Sequence, residues 1–313
     1  MDAHRCFIAL AVIVLMTCPM AYASATPDEE VPFVPGEHPL VRPMEASSLW
    51  IVVNLFTGRT SEQAVRVRDT FAKLGARGHG IVLPYRDITV ENMIKLRPAF
   101  LALSPNGIPW CRYRGKNGED LRNFLHALKI IVEQMNIPVI GICGGHQALA
   151  LAFGGKVGPI LGGEDDCFPY RKNPTERGRH NLQVVRNDPL FIGMGPTLNL
   201  VQNHYDEVKR LPPGFLCLAK NKLCPYQIMR HPSRPVYGVQ AHTEYYLKSR
   251  PDGGVLLRNF LHIAATHNRI ARAPKFLKEP RTVLGLSTGF PKGGVEVSVN
   301  LPDLVAPASV PVW

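Results

Sequence analysis

The stretch Pro138-Val139-Ile140-Gly141-Ile142-Cys143-Gly144-Gly145-His146-Gln147 constrains this chain more than any other. A short Val/Ile-rich run, the composition of a buried strand, ends in Gly-x-Cys-x-Gly, and the helical segment His146–Phe153 follows. Strand, sharp turn and helix make a nucleophile elbow. Glycines flank the nucleophile because a Cβ at those positions would clash in so tight a turn. The Cys is then held at the sheet's carboxyl edge and at a helix N-terminus, where partial positive charge favours thiolate over thiol.

A second strand-end motif follows in Val236-Tyr237-Gly238-Val239-Gln240-Ala241-His242-Thr243-Glu244. The strand Val236–Val239 delivers His242 and Glu244, which point to the same side in extended backbone. His242 is the expected base for Cys143, and Glu244 the group that orients it. A zinc site is the main chemical rival, but the chain has no Cys-x-x-Cys or His-x-x-x-His spacing, so no metal is expected.

These residues resemble the class I, triad-type glutamine amidotransferases, a family related to the γ-glutamyl hydrolases. Cys143-Gly144-Gly145-His146-Gln147 resembles the family's Cys-x-Gly-His-Gln. Gly238-Val239-Gln240-Ala241-His242-Thr243-Glu244 resembles Gly-Val-Gln-Phe-His-Pro-Glu, with Thr243 in place of Pro and Ala241 in place of an aromatic residue. Leu103-Ser104-Pro105-Asn106-Gly107 resembles the loop that supplies an oxyanion-hole amide, without the usual Gly-Gly-Pro run. The resemblance covers roughly residues 48–266. It implies catalysis by Cys143, His242 and Glu244, with no cofactor. It implies an oxyanion hole from the Gly144 amide with Asn106 or Gly107, and substrate contacts from Gln147, Ser104, His204 and Tyr205. His146 is read as structural.

The elements between these motifs alternate. Strands are expected at Leu49–Phe56, Gly80–Pro84 and Phe100–Leu103, and helices over Ser61–Leu74, Val90–Leu96, Gly118–Asn136 and Gly254–His267. Leu121, Leu125, Leu128, Val132 and Met135 form one apolar stripe. Such alternation predicts an α/β fold with a doubly wound, mostly parallel sheet and helices on both faces, which the family resemblance makes flavodoxin-like. Short strands with Gly and Pro turns over 156–229 predict a small antiparallel insertion. Hydrophobic content of 45% and charged content of 19% are ordinary for a globular protein. The net charge of +11 is dispersed, with no run of five basic residues, so nucleic acid is not an expected partner.

Four regions are expected: a signal peptide over 1–25, a Pro-rich linker over 26–47, an amidotransferase-like domain over 48–268 and a C-terminal extension over 269–313. His4 and Arg5, the apolar stretch Cys6–Met16 and Ala21-Tyr22-Ala23 predict cleavage and export, with a lipoprotein at Cys18 as the weaker alternative. Cys111, Cys143, Cys167, Cys217 and Cys224 then remain, one reactive thiol and candidates for disulfides, with Cys217–Cys224 one such pair. The expected function is an exported cysteine-nucleophile hydrolase of γ-glutamyl amides, working on a small molecule and releasing glutamate through a thioester. The alternatives are a glutaminase subunit supplying ammonia to a synthetase partner, and a noncatalytic binding protein. The chain has no Gly-rich phosphate-binding loop of its own.

Overall fold

The computed structural model describes residues 49–164, 166–167 and 175–272. The expected signal peptide and linker, and residues 273–313 of the expected extension, lie outside the described residues. Strand β1 (Leu49–Asn54) is followed by α1 (Glu62–Lys73), β2 (His79–Pro84), α2 (Val90–Leu96), β3 (Leu101–Leu103), α3 (Gly115–Glu133), β4 (Val139–Ile142) and α4 (Gly144–Ala152). Strands β5 (Lys156–Pro159), β6 (Glu176–Val184), β7 (Thr197–His204), β8 (Asp206–Arg210), β9 (Leu216–Lys220), β10 (Ile228–Arg230) and β11 (Val236–Val239) come next, and α5 (Asp252–Arg272) closes the described chain. That helix runs beyond the boundary expected at residue 268.

Local chemistry sets the helix ends. Ser61 caps α1, its Oγ accepting the Ala64 N–H at 3.1 Å, and Thr89 caps α2 by accepting the Asn92 N–H at 3.1 Å. Helix α2 stops at Arg97, in the left-handed region at φ 44°, just before Pro98. The periodicity expected for α3 also holds: Leu121, Leu128 and Val132 are buried, and Leu125 and Met135 pack against the same core.

The strands assemble into a mixed sheet in the order β2-β1-β3-β4-β11-β10-β9-β6-β7. The first five pair in parallel and the rest antiparallel. The insertion expected over 156–229 is therefore larger than a separate small sheet. Strands β6, β7, β9 and β10 continue the main sheet, and β5 and β8 alone form a separate ribbon. The physical reason is the edge of β11, whose free N–H and C=O groups β10 takes up.

Alternate residues of β1 face opposite layers. Trp50 and Val52 join α1 and α5 in one core, with Trp50 stacked on Phe100 at 5.4 Å and Phe260 edge-on to Phe100 at 5.7 Å. Ile51 and Val53 join α3 and α4 in the other. Each fully buried aromatic side chain contributes about 2–3 kcal/mol by removal from water. No helix among the described residues is long and apolar enough to cross a membrane.

At the centre, β4 feeds α4 with almost no space between them. A Cβ built on Gly141 would lie 2.3 Å from the Gly145 carbonyl carbon and oxygen. That contact is backbone and has no rotamer to escape through. Gly141→Ala should therefore cost about 3 kcal/mol or more, read as a lowered urea midpoint or as loss of soluble protein.

Candidate functional site

Cys143 sits between β4 and α4 with φ 50° and ψ −104°, a conformation that L-residues rarely adopt. Its backbone is held on both sides: its N–H donates to the Val239 carbonyl at 2.8 Å, and its carbonyl accepts the Gln147 N–H at 3.2 Å. The residue is 5% exposed. Strand β11 lies parallel to β4 with Gly238 opposite Gly141 and Val239 opposite Ile142, so the two chains end level. The segment after β11 then turns over Cys143, anchored by the His242 N–H on the Val201 carbonyl at 2.8 Å.

That turn brings together the three residues expected from sequence. His242 Nδ1 lies 2.7 Å from Glu244 Oε1, and Cys143 is the other group that acts on the ring. Burial opposes a charge on His242, but Glu244 and Cys143 outweigh it and hold the imidazole pKa well above its usual value. Ala241 and Thr243, where the motif departs from the family pattern, are both fully buried. Asp252 opens α5 close by, and a Cβ on Gly253 would meet the Thr243 carbonyl at 2.4 Å, so packing fixes this backbone without a proline.

Next to Cys143, the position a Cβ would take on Gly144 lies 2.5 Å from the Asn106 backbone nitrogen. Asn106, whose backbone N–H is a candidate donor, thus packs directly on Gly144 at the start of α4, next to Cys143. The Asn106 side chain crowds Gly144 as closely, its Oδ1 also 2.5 Å from that position, while its Nδ2 donates to the Ile108 carbonyl at 2.7 Å. Gly107 packs against the Phe56 ring, 2.5 Å from where its Cβ would be.

The other residues expected to contact substrate have partners within the protein. Ser104 is fully buried, its Oγ donating to the Pro105 carbonyl at 2.8 Å and accepting the Leu55 N–H at 3.1 Å. It braces the loop from beneath. Gln147 is engaged at both ends: Oε1 accepts from Trp110 Nε1 at 2.7 Å, and Nε2 donates to the Asp206 carbonyl at 2.6 Å and to Gln240 Oε1 at 3.1 Å. Gln240 Nε2 in turn reaches Cys143 Sγ at 3.8 Å. His204 spans the Asp206 carbonyl and Glu176 Oε2, each at 2.9 Å. Tyr205 is half-buried, and its carbonyl accepts the Ile160 N–H at 2.9 Å. Ser104, Gln147 and His204 are thus each tied into the surrounding protein.

Sequence reasoning missed Glu176, Trp110 and the role of Gln240. Glu176 is fully buried and receives His204, Asn221 and Gln227. Burial raises its pKa, but those hydrogen bonds prevail and hold the carboxyl below its usual range. Gln240 stands inside the His-x-Glu motif, and its amide was the available signal. Trp110 and Glu176 carry none, because their partners are far away in sequence.

The cysteines also differ from expectation. Cys111 and Cys167 form a disulfide with Cα atoms 5.7 Å apart, whereas Cys217 and Cys224 are free thiols. The Cys217 sulfur faces the Ala219 and Pro225 carbonyls, and Cys224 is buried beside Glu207. No cluster of three or more metal-ligating side chains occurs among the described residues.

His146 is fully buried against β11 at Gly238, as its structural reading requires. Burial pushes its pKa down to about 3. The folded protein keeps this ring neutral while the unfolded chain protonates it near 6.5, so stability rises with pH across that window. Between pH 7 and pH 5 the His146 contribution to unfolding free energy should fall by about 2 kcal/mol. Urea melts at the two pH values check this, and in His146→Met that part of the slope should be absent.

The sequence matches the class-I glutamine amidotransferase family over residues 113–264. It is 35% identical over 161 residues to a glutamine-hydrolyzing GMP synthase subunit of Pyrococcus abyssi, covering 51% of this chain and 76% of that one. The corresponding protein of Thermococcus kodakarensis is 34% identical over 164 residues, 52% of this chain and 77% of that one. Among solved structures, a Thermoplasma acidophilum protein described as a GMP synthase subunit superposes with a TM-score of 0.55 at 26% identity, covering 72% of this chain and 98% of that one. A glutamine amidotransferase of Thermotoga maritima shares the fold with a TM-score of 0.51 at 15% identity, over 69% of this chain and 98% of that one. With its elbow, its His-x-Glu turn and these relatives, the chain belongs to the class-I glutamine amidotransferase family.

Proposed function

We propose that this protein hydrolyses glutamine at its side-chain amide, and that the ammonia released serves a separate synthetase partner. The observation that carries the reading is the alignment of Cys143, His242 and Glu244 in one buried constellation beside the Gly144 and Asn106 amides. The relatives are named as glutamine-hydrolyzing subunits, which supports glutamine as the substrate and a partner protein as the consumer of ammonia. The strand order of the parallel half, β2-β1-β3-β4-β11, supports a flavodoxin-like reading of the domain, with the site at the strands' carboxyl ends.

In this mechanism His242 takes the thiol proton and Cys143 Sγ attacks the γ-carbonyl carbon. The Gly144 and Asn106 N–H groups receive the oxyanion. The intermediate collapses as His242 returns the proton to the leaving nitrogen, giving ammonia and a γ-glutamyl thioester. Water, deprotonated by His242, then attacks the thioester to give glutamate and free thiol. Glu244 holds the ring and balances its positive charge throughout.

A second reading is favoured by the Cys111–Cys167 disulfide. Disulfides persist in oxidising compartments, which suits the export expected from Cys6–Met16 and the Ala-x-Ala site. On that reading the enzyme acts outside the cytoplasm as a stand-alone γ-glutamyl hydrolase.

The two readings diverge in the leaving group. Given glutamine and a panel of γ-glutamyl amines and peptides, the purified protein should release glutamate from glutamine at least about tenfold faster, a margin near 1.4 kcal/mol in the barrier. A preference for the peptides would favour the stand-alone hydrolase. Mass spectrometry of the native protein checks export separately: a start near Ser24 or Thr26 supports it, and an intact Met1 removes it.

Side-chain variants test the assigned roles. Cys143→Ser should lower glutamate release by on the order of a thousandfold while leaving the fold intact. Glu244→Gln keeps the shape but removes the charge facing His242, so turnover should drop roughly ten- to a thousandfold, less than for Cys143. Wild-type rates in Cys143→Ser would place the chemistry elsewhere.

A further inference from the structure

The amides behind the nucleophile have a direction, and the protein alone fixes it. An indole N–H can only donate and a backbone carbonyl can only accept, whereas a side-chain amide can be turned either way. Trp110 Nε1 lies 2.7 Å from one end of the Gln147 amide, and the Asp206 carbonyl 2.6 Å from the other. The reversed amide would set donor against donor at Trp110 and acceptor against acceptor at Asp206. Gln147 therefore shows its oxygen to the indole and its NH2 to Asp206, with the second hydrogen toward Gln240.

That hydrogen determines the next amide in turn. Gln240 must receive it on Oε1, at 3.1 Å, which leaves Nε2 pointing at Cys143 Sγ at 3.8 Å, within reach of a large, soft acceptor. Both side chains are nearly or fully buried, Gln147 at 2% exposed and Gln240 at 0%, so water does not compete for these contacts. Further along, Asp206 connects through its carbonyl to His204, and His204 to Glu176.

We propose that Trp110, Gln147 and Gln240 form a polarised relay that presents an amide N–H to the Cys143 sulfur and thereby favours its thiolate. The role rests on Cys143 being the nucleophile. Gln240 touches the reacting atom, and Gln147 and Trp110 are positioning residues that act through it. An N–H aimed at sulfur is worth more to the anion than to the thiol, because a hydrogen bond to a charged acceptor is the stronger one. The relay complements His242, which supports the thiolate from the other side through its own positive charge. The titratable groups packed around this point are His242 with Glu244 behind it, His146 on α4, and His204, Glu176 and Asp206 at the far end of the relay.

The test reads the thiolate directly in the full-length protein without substrate. Iodoacetamide alkylation is followed from pH 5 to pH 9, with the labelled cysteine identified by peptide mass so that Cys217 and Cys224 are not confused with Cys143. Gln240→Leu removes the N–H at similar volume, and its Cys143 alkylation profile should move up by about one pH unit. At a fixed pH below the transition, the rate should then be roughly tenfold lower. Trp110→Phe keeps a ring in place but leaves the direction of the Gln147 amide to the Asp206 carbonyl alone, and should move the profile in the same direction by less. A role in packing alone would lower the melting temperature without moving either profile. Wild-type profiles in both folded variants overturn the relay while leaving Cys143 as the nucleophile. If Gln240→Leu does not fold, Trp110→Phe decides alone: a shifted profile supports the relay and an unshifted one overturns it. A wild-type protein in which Cys143 is not labelled at all removes the nucleophile assignment itself, and the relay with it.

Discussion

The turn at Cys143 exists because nothing larger than hydrogen stands between the end of β4 and the first turn of α4. Gly141 faces the backbone of Gly145, and Gly144 faces the backbone nitrogen and side chain of Asn106, all at distances a methyl group would violate. Cys143 itself takes the strained φ that the geometry demands, at a cost of about 1–3 kcal/mol. That strain is offset by the hydrogen bonds at its N–H and carbonyl and by the burial of both flanking elements. Close approach is also what puts the nucleophile, the helix N-terminus and the Asn106 amide within one small volume.

The second requirement is register. His242 reaches Cys143 because β11 pairs in parallel with β4 and ends level with it. Slipping that pairing by one residue would turn the whole of β11 over and aim its side chains into the wrong layer. The antiparallel strands beyond β11 guard against this. They occupy its outer edge through β10, and the Gln227 carbonyl accepts the Gln240 N–H at 2.8 Å, just where the strand gives way to the catalytic turn. The insertion therefore contributes to the site without supplying the nucleophile or its base.

What the sequence made legible follows this division. Elements with their own periodicity and caps, such as α1 with Ser61 and α2 with Thr89, could be placed within a few residues, because the signal and the structure occupy the same stretch of chain. The elbow and the His-x-Glu turn were legible for the same reason: each is a short motif with its chemistry inside it. Contacts across long separations were not. Trp110 meets Gln147 across 37 residues, Gln147 meets Gln240 across 93, and Cys111 meets Cys167 across 56. The buried partners of Gln147 and His204, both expected to contact substrate, were hidden for that reason. The joining of the insertion to the main sheet was hidden likewise, since a strand's sequence does not name its neighbour.

The disulfide gains a place in this scheme from its position. Cys111 lies in the same short 3-10 turn as Trp110, directly after the loop that carries Asn106 and Gly107. Covalent attachment to Cys167 limits how that turn can move, and it restricts the unfolded chain as well. The turn carries the indole that sets the direction of Gln147, and it stands at the end of the loop whose amide faces Gly144. On the proposed mechanism, one anchor therefore steadies two donors beside Cys143, the amide aimed at its sulfur and the amide that would receive the oxyanion. Neither donor is ionisable. In that mechanism the proton moves between Cys143 and His242, and the neutral amides around them need only hold still.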